Sequence, residues 1–530
     1  MIGRINGYFW GRVALFLFIF FALCWIDDFF CIWRLKKIGE NIQGQLTYIE
    51  ILSKTLFISQ YFFATLFVYL ALFLKNKVVS ISILIVFWIF ITIDLVCHFI
   101  YGRPADLNNI SMLNAAVANY SDAVSMYLPE IIKAIFRTSI FFVPCILMCF
   151  YRKWFYIKGS KFFFCFSFLA LLGIFLVILL FKGVQALNGF PKGFNYLFST
   201  IVIELNNRIS PRLFVSTTPN AFYHELGKDI KNIIVVVDES IEFSYFAKNM
   251  NLTDSSNIQS FGRSYSAANC SASSNYIIRK AYWLSNNGVL SDMRETDSLF
   301  TLAKKHAFKV VYIDNQNVLK DKTVRNYITN DELESIDVII EGSGPAWSRD
   351  IGSLSKLEEL IKQEGRHFIF INKVGAHFPY QNAIDPNLVS SHKIVNYERA
   401  LRSSSIGFIK QLSKMIDNRS IVFYTSDHGQ NFFAKSSHCN SAEMAIKEEF
   451  SVPFVIISKN TKLNKAIKKE ALTNKTNHLI FSESIRNVMG EDLMDVSGCF
   501  DINNDKYTSA IYGQPFKLLG KLPTSKIYEY

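Results

Sequence analysis

"IVFYTSDHGQ", residues 421–430, runs five strand-forming residues straight into Ser-Asp-His-Gly. Ile421 to Thr425 are apolar or β-branched without strict alternation, the pattern of a strand buried on both faces. A strand ending this way is a rigid post that holds Asp427 and His428 at one sheet edge, and Gly429 permits a tight turn directly after them. A lone Asp-His is more often a solvated turn than a ligand pair, so the rest of the chain decides the reading.

Five more runs of the same kind surround it: "NIIVVVD" (232–238), "FKVVYID" (308–314), "IDVIIEG" (336–342), "HFIFIN" (367–372) and "VPFVIIS" (452–458). Polar helical stretches separate them. The pattern predicts an α/β domain over residues 231–530, with an open, mostly parallel sheet flanked by helices. Ligands of such sheets sit beyond the carboxyl ends of the strands. There "VVVDES" delivers Asp238, Glu239 and Ser240, and "INKVGAH" leads to His377. Two carboxylates and a histidine make an O/O/N donor set that suits zinc. "SAANCSASSN" (266–275) precedes the helical-looking "YIIRKAYW" and offers hydroxyls at a helix N-terminus, where backbone N–H groups favour a bound phosphate. Ser271, Ser273 and Ser274 all stand as nucleophile candidates. The bland alternative is a serine-rich loop with a helix cap.

The first third is of another kind. The chain has 530 residues, half of them hydrophobic and 49 of them Phe. Apolar runs near 9–33, 55–74, 78–100, 134–151 and 162–181 approach the ~20 residues that cross a bilayer as a helix. A multi-pass membrane domain over 1–182 follows, with a connector over 183–230. Within the connector, "LFSTIVIELNNRI" (197–209) suits an amphipathic helix at the membrane surface, with Pro211 as its stop. The first run reads as a retained helix rather than a cleaved signal, since Asp27-Asp28 leads into more aromatics and no small-residue cleavage site follows. Residues 1–182 carry 16 Lys and Arg against 8 Asp and Glu, so most of the net charge of +12 belongs to membrane loops and nucleic acid is not implied. Arg152, Lys153, Lys158 and Lys161 favour a cytoplasmic loop, which puts the C-terminal half on the far side of the membrane.

The order of strand-end carboxylate, hydroxyl loop, later histidine and Ser-Asp-His-Gly resembles the alkaline phosphatase/sulfatase superfamily. With five apolar N-terminal runs, the chain looks like the bacterial phosphoethanolamine transferases that modify lipopolysaccharide. The resemblance implies an inner-membrane enzyme with a periplasmic catalytic domain. It implies zinc held by Glu239, Ser271, Asp427 and His428, and Ser271 as nucleophile where the family has Thr. "VGAHFPY" resembles a phosphate-contacting segment and gives His377; "KSSHCNS" gives His438 as a second substrate contact. "NAAVANYSDA" (114–123) resembles a loop that binds the donor head group, through Asn114 and Asp122, with Ala118 in place of the family's Thr. The implied donor is phosphatidylethanolamine, the implied acceptor lipopolysaccharide, at lipid A or a core sugar.

Three rival readings remain. A phosphoglycerol transferase would use the same zinc site. A sulfatase would need Cys270 as a formylglycine precursor, but "CSASS" lacks the Pro and Arg of that signature. A non-catalytic membrane protein would carry a degenerate domain. Of nine cysteines only Cys270, Cys439 and Cys499 lie in the C-terminal half, so this is no disulfide scaffold. If the resemblance holds, Cys270 and Cys439 flank Ser271 and His438. They are then either bridged or two buried thiols.

Overall fold

The computed structural model describes all residues except Met1, 28–47, 102–104, 106–119, 152–158, 183–189, 210–217, 220–228, 251–256, 282–295, 318, 320–327, 434–436, 441, 443, 463–475, 493–507, 512–525 and Tyr530. The chain divides into two compact units, one holding Met1–Leu113 with Asn119–Ser210, the other including Pro211–Tyr530.

In the first unit the apolar runs form helices α1 (Ile2–Ile26), α2 (Tyr48–Ala71), α3 (Lys77–Tyr101), α4 (Tyr120–Tyr151) and α5 (Ser160–Lys182). Lys77–Ile100, Tyr127–Phe150 and Ser160–Leu180 are long and apolar enough to cross a membrane; Trp10–Ile26 and Thr55–Ala71 are shorter apolar helices. The amphipathic stretch is helix α6 (Phe194–Ile209). Its aromatic stripe packs inward, with Phe194 against Phe67 and Phe87 and Phe198 against Phe175. Buried Asp94 of α3 receives N–H bonds at the start of α6, from Gly193 at 2.9 Å and Tyr196 at 3.3 Å. The carboxylate thereby satisfies amides that a helix start leaves open.

The second unit is built on seven strands: β1 (Asn232–Asp238), β2 (Ile258–Tyr265), β3 (Lys309–Asp314), β4 (Val338–Glu341), β5 (His367–Asn372), β6 (Ser420–Ser426) and β7 (Ser451–Ser458). Their order is β2-β7-β6-β1-β5-β3-β4. The five from β6 to β4 are parallel, while β7 and β2 close one side antiparallel. All six runs read from the sequence are strands. The seventh, β2, was missed because "IQSFGRSY" is polar, contains Gly262 and lies half-exposed at the sheet edge.

Alternate residues of β1 feed two cores. Ile234 and Val236 join Val311, Ile369 and Leu357 of helix α9 (Ala346–Lys362) on one face. Ile233, Val235 and Val237 join Phe300 of helix α8 (Leu299–Lys305), Phe368 and Phe481 on the other. Burial on both faces is why these strands read as unbroken apolar runs.

Candidate active site

β1 and β6 are neighbours in exact register, Asp238 opposite Ser426, so the residues just past them emerge side by side. Glu239, Asp427 and His428 are all buried, and each offers a ligand atom within 4.8 Å of the others. His428 Nε2 lies 3.3 Å from Glu239 Oε1 and 3.4 Å from Asp427 Oδ2. Helix α7 (Ser271–Lys280) begins at this spot. Ser271 Oγ donates to Glu239 Oε1 at 3.1 Å and lies 3.1 Å from His428 Nε2.

Ser274 is turned elsewhere. Ser274 Oγ donates to the Asp427 carbonyl at 2.5 Å and contacts His478 Nδ1 at 2.9 Å, and Ser273 is buried. Asp238, though adjacent to Glu239, also leaves the cluster. It pairs with buried Lys373 at 2.6 Å and accepts from Tyr424 Oη at 2.6 Å.

His377 lies at the exposed rim, its ring 6.2 Å from that of His438, which in turn stacks on His428 at 4.2 Å. These three histidines thus line one side of the cluster. Cys270 and Cys439 are joined in a disulfide with Cα atoms 4.8 Å apart, and Cys439 N donates to the Asn269 carbonyl at 2.8 Å. Asn269, Asn431 and Asn440 all donate to buried Glu449, at 2.9, 3.0 and 2.7 Å. The loop before Ser271 and the loop bearing His438 are therefore tied by the disulfide, by a backbone hydrogen bond and through Glu449. Asn114 lies outside the described residues; Asp122 falls in the first turn of α4, and its side chain lies outside them too.

Electrostatics mark the cluster as cation-seeking. Burial, then the charge of Glu239, push the Asp427 carboxyl well above its usual range. Burial acts the same way on Glu239, but the hydrogen bond and charge of His428 outweigh it and hold that carboxyl well below. Burial would lower His428, yet Asp427 and Glu239 beside its ring push it up to about 9. Two dry carboxylates so close stay charged together only with a compensating cation. Asp427 Oδ2 is a buried acceptor that no hydrogen bond satisfies. His428 Nδ1 sits 2.7 Å from the Gly429 carbonyl. Since only a protonated nitrogen bonds a carbonyl, Nδ1 carries a proton and Nε2 is the nitrogen turned to the carboxylates, the one that would ligate a metal once its own proton is displaced. The donor set fits a divalent metal.

Sequence reading missed several supports. Gln316 Nε2 donates to Glu239 Oε2 at 2.9 Å and aims the other oxygen at Ser271. Ser240 takes a left-handed φ of 62°, which directs its N–H to Asp427 Oδ1 at 3.1 Å. His478 opens helix α11 (His478–Met489) and reaches the Ser426 carbonyl through Nε2 at 2.8 Å. Glutamines and histidines far along the chain carry no local signal of such roles.

Residues 231–490 match the family model described as Sulfatase. Among solved structures, the chain is similar to the integral membrane lipooligosaccharide phosphoethanolamine transferase A from Neisseria meningitidis, with a TM-score of 0.56 and 16% identity over 90% of this chain and 95% of that one. The periplasmic domain of EcEptC from Escherichia coli matches with a TM-score of 0.42 and 14% identity, over 56% of this chain and 92% of that one. The lipoteichoic acid synthase LtaP from Listeria monocytogenes matches at 0.37 and 14%, over 58% and 83%. A search of curated proteins gives no match.

Proposed function

We propose that this chain, whose residues 231–490 form a sulfatase-family domain, is a membrane-bound phosphotransferase that moves phosphoethanolamine from phosphatidylethanolamine to lipopolysaccharide through a covalent ester on Ser271. The observation that carries the reading is Ser271 Oγ, 3.1 Å from both Glu239 Oε1 and His428 Nε2 at the start of α7. Glu239, Asp427 and His428, with Ser271 Oγ as fourth donor, would hold zinc. When bound, zinc supplies a Lewis acid that lowers the pKa of the serine hydroxyl and polarises the donor phosphate.

The chain's own residues divide the remaining work. Glu239 accepts the Ser271 hydroxyl bond and orients the oxygen toward the phosphate. The start of α7 favours an anion at Ser271 through the helix dipole. Ser271 Oγ, its proton passing to solvent, forms a bond to phosphorus while the bond to the diacylglycerol oxygen breaks, and that oxygen takes up a proton from solvent in return. Burial and the neighbouring His428 keep His438 well below its usual pKa, so it is neutral and able to accept a proton. In the second displacement it would take the proton of the acceptor hydroxyl as that oxygen attacks the seryl phosphate and releases Ser271. His377, at the rim, would contact phosphate oxygens, and Asn114 and Asp122 the donor head group. Splitting the transfer into two displacements leaves each with an activated nucleophile.

Apolar helices in the same chain suit lipid substrates at both steps, and the Cys270–Cys439 bridge suits an oxidising periplasm beside an inner membrane. Mass spectrometry of lipids from expressing cells tests the reading. Added phosphoethanolamine on lipopolysaccharide is expected. Added phosphoglycerol would move the chain to the alternative donor, and unchanged lipids would remove the enzymatic reading.

A further inference from the structure

Among the described residues of the catalytic unit, six large apolar side chains are exposed: Ile339, Leu388, Val389, Ile394, Val395 and Phe433. Chance would scatter them. Four of the six instead fall within one stretch, 388–395, and a fifth, Phe433, follows a residue packed on that same segment. Leu388 and Val389 precede helix α10 (Lys393–Ala400), and Ile394 and Val395 lie in its first turn. Asn396 closes the segment between them, bonding Ser390 N and O at 2.7 Å each. Phe433 follows Phe432, whose ring packs on Tyr397 of α10 at 4.8 Å. Phe433 is itself 91% exposed.

The patch is wired to the active site. Tyr397 Oη donates to the Ser240 carbonyl at 2.9 Å and accepts from Glu242 N at 2.8 Å, next to Glu239. Tyr380, three residues past His377, accepts from Gln430, two past His428. Lys393 at the start of α10 lies over the ring of Phe378, the neighbour of rim residue His377, so this segment adjoins the rim that substrate must cross. The segment's flank is basic: Lys393, Arg399 and Arg402 stand against Asp385 and Glu398, and Glu398 is shared between Lys248 at 3.0 Å and Arg402 at 3.8 Å. Lys393 lies 5.0 Å from the Phe378 ring centre, among the apolar side chains. Aliphatic and aromatic tips edged by cations match an anionic bilayer surface, where apolar groups enter the acyl boundary and cations meet head groups. The chain's own membrane-crossing helices keep a bilayer within reach of this domain.

We propose that this face is a bilayer-docking surface, which seats the active-site rim on the lipid leaflet that supplies its substrates. The inference rests on the domain working beside a membrane, and not on which head group is transferred. The test uses the full chain in phosphatidylethanolamine–phosphatidylglycerol vesicles doped with a lipid bearing a photoreactive diazirine in its acyl chain. After irradiation, adducts are mapped by peptide mass spectrometry. Peptides carrying 386–395 and Phe433 should be labelled about tenfold over the peptide carrying Ile339, and Val389→Glu with Ile394→Glu should remove that excess. Labelling no greater than at Ile339, or an excess that survives the double substitution, would overturn the proposal. Vesicle labelling is read independently of transfer, so an inactive but labelled protein would count against the proposed function alone.

Discussion

Ser271 differs from its neighbours in what its hydroxyl meets. It faces a carboxylate and an imidazole, whereas Ser274 is spent on the Asp427 carbonyl and His478. The sequence narrowed the nucleophile to a loop but not to one serine, because helical phase at a loop-to-helix junction sets the direction and no local pattern reveals it. The position of Asp427 and His428 at a strand end was legible from one stretch, since a strand buried on both faces delivers the residues after it to the sheet edge. The buried, unsatisfied Asp427 Oδ2 makes this carboxylate the sharpest probe of metal binding. Asp427→Asn keeps its shape and removes its charge. Zinc content by elemental analysis should fall to about a tenth of wild type or less. Unchanged zinc would show that the metal is held elsewhere.

His478 gives a prediction in pH. Burial holds its pKa down to about 3, against 6.5 for a free imidazole. Below 6.5 the unfolded chain therefore binds a proton that the folded chain refuses. The stabilisation from a neutral His478 is complete above 6.5 and is lost as pH falls from there toward 3. At pH 5.5 the loss is on the order of 1 kcal/mol from this residue. Thermal unfolding of wild type and His478→Gln across pH 7.5 to 5 measures it. The variant, though less stable at pH 7, should show a shallower acid slope; parallel curves would refute the assignment.

At the scale of elements, β6 and its turn were read correctly in outline and incompletely in cause. Gly429 was expected to serve a tight turn through backbone freedom. It is absent from the glycines with positive φ, and its requirement is space. A Cβ there would run into the Glu448 carbonyl and come within 2.8 Å of that of Ser451. Gly429→Ala should cost about 1–3 kcal/mol or more in a denaturant melt and loosen zinc binding, because the turn that carries His428 must shift. A neutral substitution would mean that this loop is not closely packed. The disulfide shows the same limit of sequence reading. Cys270 and Cys439 are 169 residues apart, and only the fold brings their loops together. Strand β2 escaped for the opposite reason: at the edge, beyond antiparallel β7, it needs no apolar pattern to be held.

For the whole molecule, composition separated an apolar helical unit from an α/β unit, because bilayer and water impose different patterns over tens of residues. The inward packing of α6 was less legible. Its stripe of Phe194 and Phe198 looks alike whether it meets lipid or the aromatic side chains of α2, α3 and α5. The chemistry assigned to the chain depends on one covalent event, and that event can be trapped. The full chain, zinc-loaded and in vesicles of phosphatidylethanolamine without acceptor, is quenched in acid and mapped by peptide mass spectrometry. Phosphoethanolamine on Ser271, absent from Ser271→Ala, is the predicted result. An adduct on another residue, or diacylglycerol release undiminished in Ser271→Ala, would contradict it.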